Sequence, residues 1–189
     1  RELRASARKL KSGKAAGIDN KPIEYWKVVL NSATSEGANW LLSFCNQIWS
    51  QKVVPDDWHL QSVTLIFKKG DPADSNHYRP ICLLAAVYKL FAMILLQRLL
   101  AAGADSRIWP SQFGFRPKRG TEDALHCARR AIELTWSQRG GAMHMLALDW
   151  RKAFDSISPT ALLQALRRFG IPEPFIEMVA SIYSGRQFQ

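Results

Sequence analysis

Apolar positions along the chain recur at two different periods, and the changeover between them predicts the elements. Pro22 suits the first turn of a short helix reaching about Leu30. A second helix follows to about Gln51, burying Leu41, Phe44 and Ile48 at helical spacing, and Pro55-Asp56-Asp57 stops it. The stretch 62–67 is rich in β-formers and runs into Lys68-Lys69-Gly70-Asp71-Pro72; turn-forming residues lead from there to 78–82. These read as two paired strands joined by a mobile, basic loop. Residues 85–102 predict a helix with Leu90, Ile94 and Leu95 facing inward, ended by Gly103. After a loop over 109–120, Thr121 is expected to cap a helix whose first turn carries Glu122 and Asp123, where the dipole favours acids. Gly140-Gly141 breaks it. The run 143–148, apolar without alternation, predicts a fully buried strand. Ser158-Pro159 then opens a helix over Leu162, Leu163 and Leu166, closed by Gly170, and Pro172 and Pro174 start another. Helices with a few strands make an α/β, or α+β, chain.

Composition narrows the class. With 189 residues, 47% hydrophobic and 22% charged, the chain suits one domain, or one and a part, and is not a disordered polymer. No uncharged apolar run approaches the roughly 18 residues of a membrane span, so no membrane partner is expected. The opening Arg1-Glu2-Leu3-Arg4 reads as no signal peptide, and its lack of Met reads as a piece of something longer. Cys45, Cys82 and Cys127 lie far apart in apolar surroundings. They are expected to be buried, reduced core residues rather than zinc ligands, which fits an intracellular compartment.

Charge gives the first functional hint. The net charge is +10, and residues 1–140 hold 21 of the 26 Lys and Arg against 12 of the 16 Asp and Glu. A basic front on a nearly neutral rear points to a polyanion such as nucleic acid, or to a solvated surface. Arg1, Arg4, Arg8 and Lys11 share one helical face before the turn at Gly17-Ile18-Asp19-Asn20. Lys14-Ala15-Ala16-Gly17 has the look of a phosphate loop, but the Gly-Lys-Ser/Thr ending is missing and that reading is rejected. His59, His77, His126 and His144 make no ligand spacing.

The sharpest local feature is Leu146-Ala147-Leu148-Asp149-Trp150-Arg151-Lys152-Ala153-Phe154-Asp155. A carboxylate after a buried strand sits at a sheet rim, and phosphoryl transfer needs oxygen ligands held there for Mg²⁺. Asp149 is the candidate; capping its turn, or pairing with Arg151, is the alternative. Asp155 is a weaker candidate for the same metal. Lys68 and Arg79 flank the hairpin and could clamp a triphosphate, a point charge beside a planar fork; a solubilising loop tip is the other reading. The seven Trp read mostly as packing, although exposed ones could stack on bases.

The order of the blocks resembles that of non-LTR (LINE-type) retrotransposon reverse transcriptases over nearly the whole chain. The segments that carry it are 14–20, 63–71, 78–84 with Tyr88-Lys89-Leu90, 112–121 and 148–157. The most specific are Asn76-His77-Tyr78-Arg79-Pro80-Ile81, Gln112-Phe113-Gly114-Phe115-Arg116 and 148–155. The resemblance implies a right-hand polymerase fold, with fingers over 1–105 and the start of the palm over 106–189. It implies an RNA-directed DNA polymerase acting on an RNA template, a DNA primer and dNTPs, with two Mg²⁺ and a nuclear or cytoplasmic location.

By the same resemblance, Asp149 matches the first metal-binding aspartate and the Trp150 carbonyl a second ligand. The amides of Lys152 and Ala153 approach the triphosphate, Phe154 is the steric gate beneath the sugar, and Lys68 and Arg79 grip the phosphates. Gln112, Gly114, Phe115 and Arg116 lie near the template and nascent base pair. Asn20 stands where the family has Gly, and Asn tolerates the left-handed conformation. The family's Gln-Gly and Tyr-x-Asp-Asp blocks are expected beyond Gln189, so this stretch alone is not expected to polymerise. A non-catalytic nucleic-acid-binding remnant of a retroelement is the rival reading, and a folded relic without function a third.

Overall fold

The computed structural model describes residues 1–32, 36–150, 153–154, 156–185 and 187–188, the last pair as backbone. It divides into two compact units, Arg1–Arg98 with Ser158–Gln189, and Leu99–Ile157.

The first unit carries helices α1 (Glu2–Lys9), α2 (Ile23–Asn31), α3 (Glu36–Gln51) and α4 (Ala86–Ala101), the last turn of which enters the second unit. It also carries strands β1 (Leu60–Phe67) and β2 (Tyr78–Leu83). β1 and β2 pair antiparallel, from Ser62 opposite Leu83 to Phe67 opposite Tyr78. The chain is mixed helix and sheet, as the alternation of periods predicts, and the helices at 23–31, 36–51 and 86–101 fall where they are expected. Leu41 and Leu90 have no exposed surface, and Ile48, Ile94 and Leu95 are buried beside them. Trp58 closes this core, its ring 5.0 Å from Tyr88 and 5.6 Å from Phe91. Gly103, at φ +80°, adopts the left-handed conformation that ends α4 without a Cβ clash.

The connection between the strands is organised by its own hydrogen bonds. Asp71 Oδ1 accepts from the Ala73 amide at 2.9 Å, Asp74 Oδ1 from the Asn76 amide at 2.8 Å, and the Tyr78 hydroxyl donates to the Pro72 carbonyl at 3.0 Å.

The same unit ends in two helices and a short strand. These are α6 (Pro159–Arg168), α7 (Glu173–Tyr183) and β3 (Gln187–Phe188), the last parallel to β1 with Leu60 opposite Gln187. β3 has no counterpart in the sequence pattern; two residues are too few to show a period. Met178 and Ile176 bury α7, and Phe175 meets Trp49 at 6.1 Å.

The second unit holds α5 (Thr121–Trp136) between the 109–120 loop and a stretch without regular secondary structure. Three expectations are corrected. Thr121 is the first helical residue and not the cap: Gly120 precedes the helix, and its amide donates to Asp123 Oδ2 at 2.8 Å. The acid foreseen in the first turn thus does the capping. Residues 143–148 form no strand, and Leu146 and Leu148 are 81% and 70% exposed. A buried strand needs ladder partners at its edges and cover on its faces. Among the described residues none pairs with this run. Lastly, only Cys45 is buried. Cys82 sits on an exposed hairpin and Cys127 on a helix with no buried residue, so both thiols face solvent; all three are free.

Candidate functional site

The predicted site residues fall into two groups, one in each unit. In the first, Lys68 directly after β1 and Arg79 in β2 stand at the end of the hairpin where the 68–77 connection joins the strands. Arg79 pairs with Ile66, and the Lys68 amide extends the ladder by donating to the His77 carbonyl at 2.8 Å. Side chains alternate along a strand, so Ile66 and Lys68 point to one face, and Arg79, opposite Ile66, points to the same face. The pairing therefore sets one ammonium and one guanidinium diagonally on an exposed surface. Among the described residues neither has a carboxylate partner. Leu65, Ile66 and Phe67 are exposed around them.

In the second group, the 109–120 loop is built around Arg116. Its Nε and Nη2 donate to the two carboxylate oxygens of Asp105 at 3.0 and 3.1 Å, its Nη2 also to the Asp105 carbonyl, and its Nη1 to the Trp109 carbonyl at 3.0 Å. The Arg116 side chain is 9% exposed. The Asp105 carboxyl is held below its usual range by those guanidinium hydrogen bonds, opposed by some burial and aided by the charge. Gln112 Nε2 donates to the Gly114 carbonyl at 3.2 Å. Arg116 and Gln112 therefore shape the loop, with Nε, Nη1 and Nη2 of Arg116 each bonded inside it. Phe115, in contrast, is 93% exposed at φ +61°, a conformation that costs an L-residue about 1 kcal/mol or more. Its ring meets that of Phe154 edge-on.

Asp149 and Trp150 lie on exposed chain outside any helix or strand, and Ala153 and Phe154 on an exposed turn where the Ile157 amide reaches the Phe154 carbonyl. Lys152 and Asp155 lie outside the described residues. Mg²⁺ is held characteristically by one or two carboxylates together with phosphate and water oxygens. Asp149 with the Trp150 carbonyl suits part of such a set. Among the described residues no three His, Cys, Asp or Glu side chains gather to hold a metal. Among the described residues no helix is long and apolar enough to cross a membrane.

Residues 66–189 match the family model described as reverse transcriptase (RNA-dependent DNA polymerase). The chain belongs to the reverse transcriptase family. It is 26% identical over 189 residues to the "Probable RNA-directed DNA polymerase from transposon BS" of Drosophila melanogaster, covering 99% of this chain and 20% of that one. It is 29% identical over 194 residues to the RNA-directed DNA polymerase from mobile element jockey of Drosophila funebris, again 99% and 20%. To the Retrovirus-related Pol polyprotein from type-1 retrotransposable element R2 of Popillia japonica it is 34% identical over 126 residues, 64% of this chain and 16% of that one. The chain thus spans about a fifth or less of the length of these curated relatives. The resemblance to non-LTR retrotransposon reverse transcriptases is borne out.

Every predicted site residue of this reverse transcriptase segment falls inside the matched stretch, from Lys68 to Phe154. What the sequence pattern did not single out lies before it. Trp26, Trp40, Phe44 and Trp58 form a chain of ring contacts across α2, α3 and the turn at Asp56–Trp58. The i, i+4 spacing of Trp40 and Phe44 was the available signal, but Trp26 joins only through the packing of two helices.

Proposed function

We propose that the chain is the fingers (1–105) and the beginning of the palm (106–189) of a right-hand RNA-directed DNA polymerase. It would extend a DNA primer on an RNA template with dNTPs during retrotransposition. The family match over 66–189 carries this reading, because it takes in the basic hairpin face and the 148–157 block together. Lys68 and Arg79 would hold the triphosphate, a role suited to two cations on one hairpin face that have no carboxylate partner among the described residues. Asp149 and the Trp150 carbonyl would hold Mg²⁺, and the amides of Lys152 and Ala153 would meet phosphate oxygens. Such an ion neutralises charge on the transferring phosphoryl group. The exposed Phe154 ring would lie under the sugar and exclude a 2′-hydroxyl by contact. Gln112, Gly114, Phe115 and Arg116 would shape the surface beside the template and the new base pair.

Primer extension by the full-length polymerase carrying Phe154→Ala tests the reading. Ribonucleotide incorporation should rise while dNTP incorporation persists; unchanged sugar discrimination removes the gate from the account. The excess of Lys and Arg over Asp and Glu in residues 1–140 also favours a second reading, a non-catalytic nucleic-acid-binding remnant, which predicts binding without any polymerisation.

A further inference from the structure

Two neighbouring cavities of the first unit share the side chain of Lys21. One, of about 290 Å³, has Lys11, Lys14, Lys21 and Lys89 around an apolar floor that includes Ile23. The other, of about 490 Å³, is lined by Trp26, Trp40, Phe44 and Trp58, again with Lys21.

The lysines are set on an anchored segment. Lys27 Nζ donates to the Leu10 carbonyl at 2.7 Å and to Ser12 Oγ at 2.8 Å, and the Gly13 amide donates to Glu24. Gly17 lies so close to the entry of α4 that a Cβ would stand 2.4 Å from the Leu84 carbonyl carbon. Lys89 faces the segment from the first turns of α4. Among the described residues none of the four ammonium groups pairs with a carboxylate. Four like charges around one hollow repel one another, and an anion relieves that repulsion.

The aromatic cavity supplies a different chemistry. The Trp40 ring is stacked within 12° of the Trp26 plane at 6.3 Å and within 8° of the Phe44 plane at 5.2 Å, yet Trp40 stays 57% exposed. Trp26 Nε1 is buried with no hydrogen-bond partner among the described residues. Asp19 and Asp57 also line this cavity. They would repel a phosphate but can accept a hydrogen bond from a base N–H such as the N3–H of uracil. An ordered set of flat rings beside a pocket of ammonium groups is the pairing used for single strands, bases on rings and phosphates on cations.

We infer that the two cavities form one groove for a single-stranded nucleic-acid segment, its phosphates among Lys11, Lys14, Lys21 and Lys89 and a base against Trp40. The two cavities are lined by residues up to 60 and the head of α4, and neither lining includes Lys68 or Arg79. The inference rests on the polymerase reading only for the class of polymer.

The test is fluorescence anisotropy of the 189-residue chain with a labelled oligouridine of about 12 nucleotides, a length within the usual range of single-strand sites. Circular dichroism confirms that each variant is folded. Lys11→Gln/Lys14→Gln/Lys89→Gln should flatten the plot of log affinity against log salt by about 0.7 per lysine removed. Trp40→Ala should weaken binding roughly 5- to 100-fold with the salt slope unchanged, and Trp40→Phe should restore most of it. The charge-matched Arg129→Gln/Arg139→Gln/Arg168→Gln should have the smaller effect. Equal losses from the two triple variants would mean diffuse charge and overturn the groove. Unchanged binding by Trp40→Ala, or displacement by inorganic triphosphate as effective as by oligouridine per phosphate, would mean a site for free phosphate and also overturn it. Loss of the Asp149 assignment in primer extension would leave this result where it stands.

Discussion

The ring of Phe115 meets the ring of Phe154 edge-on, with centroids 5.7 Å apart and planes at 90°. Edge-to-face pairs are worth about 0.5–1.5 kcal/mol beyond burial. Here both rings are otherwise exposed, at 93% and 72%, and among the described residues Phe115 is the ring that Phe154 meets. If Phe154 gates the sugar, Phe115 sets the gate's position. Phe115→Ala in the full-length polymerase should lose part of the discrimination against ribonucleotides. Added to Phe154→Ala it should change nothing more. Additive losses in steady-state incorporation ratios would show that the two rings act separately.

The loop that presents Phe115 depends on the Arg116–Asp105 pair. The Asp105 carboxyl has a folded-state value below its unfolded one, so its contribution is complete above the unfolded value, near 3.8, and is lost as pH falls through the folded value. Amide exchange across 105–116, taken relative to its intrinsic rate at each pH, should stay slow at neutral pH and accelerate once the pH drops below about 4, the ordinary carboxylate range. Arg116→Lys should accelerate it even at neutral pH, because one ammonium cannot replace a fork bonded to four acceptor positions. Protection unaltered by the Lys substitution would contradict this.

Cysteine reactivity separates the packed part of the molecule from the open part. Burial pushes the Cys45 thiol up to about 11, while Cys82 and Cys127 are exposed. Reaction with a thiol-specific disulfide reagent at pH 8 should label Cys82 and Cys127 quickly and Cys45 only on unfolding, since the thiolate is the nucleophile. Fast labelling of Cys45 in the folded chain would show that the α3–α4 packing is looser than described.

Gly17 should be the least replaceable residue of its turn. Its missing Cβ is required by backbone on the far side, the Leu84 carbonyl and the Ala85 amide, which have no rotamer to change. Gly17→Ala should lower the urea midpoint by an amount equivalent to about 1–3 kcal/mol, the usual cost of forced overpacking. Gly13, at φ +70° with open space around it, should cost about 1 kcal/mol on the same change, from backbone conformation alone. Equal midpoints for the two variants would remove the close approach from the account.

Much of the first unit was legible because its signals were local. The 86–101 helix, the pairing of the two strands and the Leu41–Ile48 stripe each follow from local spacing and turn chemistry, whereas the hairpin register came only with the structure. The 143–148 run was misread because apolarity alone cannot state whether a partner strand is at hand, and here Leu146 and Leu148 stand exposed. The exposure of Cys82 and Cys127 was equally hidden, since burial depends on what packs over an element and not on the residue. For the site, residue identities came from the resemblance. Geometry added that the Arg116 fork is spent on Asp105 and that Phe115 supports Phe154, two relations no linear spacing announces.

The most direct test of the polymerase assignment is primer extension on an RNA template by the full-length protein carrying Asp149→Ala, with template binding measured in parallel. The account predicts that extension is abolished while affinity for template is kept, because a single metal-binding carboxylate is removed and the binding surfaces are left in place. Extension that persists with Asp149 replaced would contradict it.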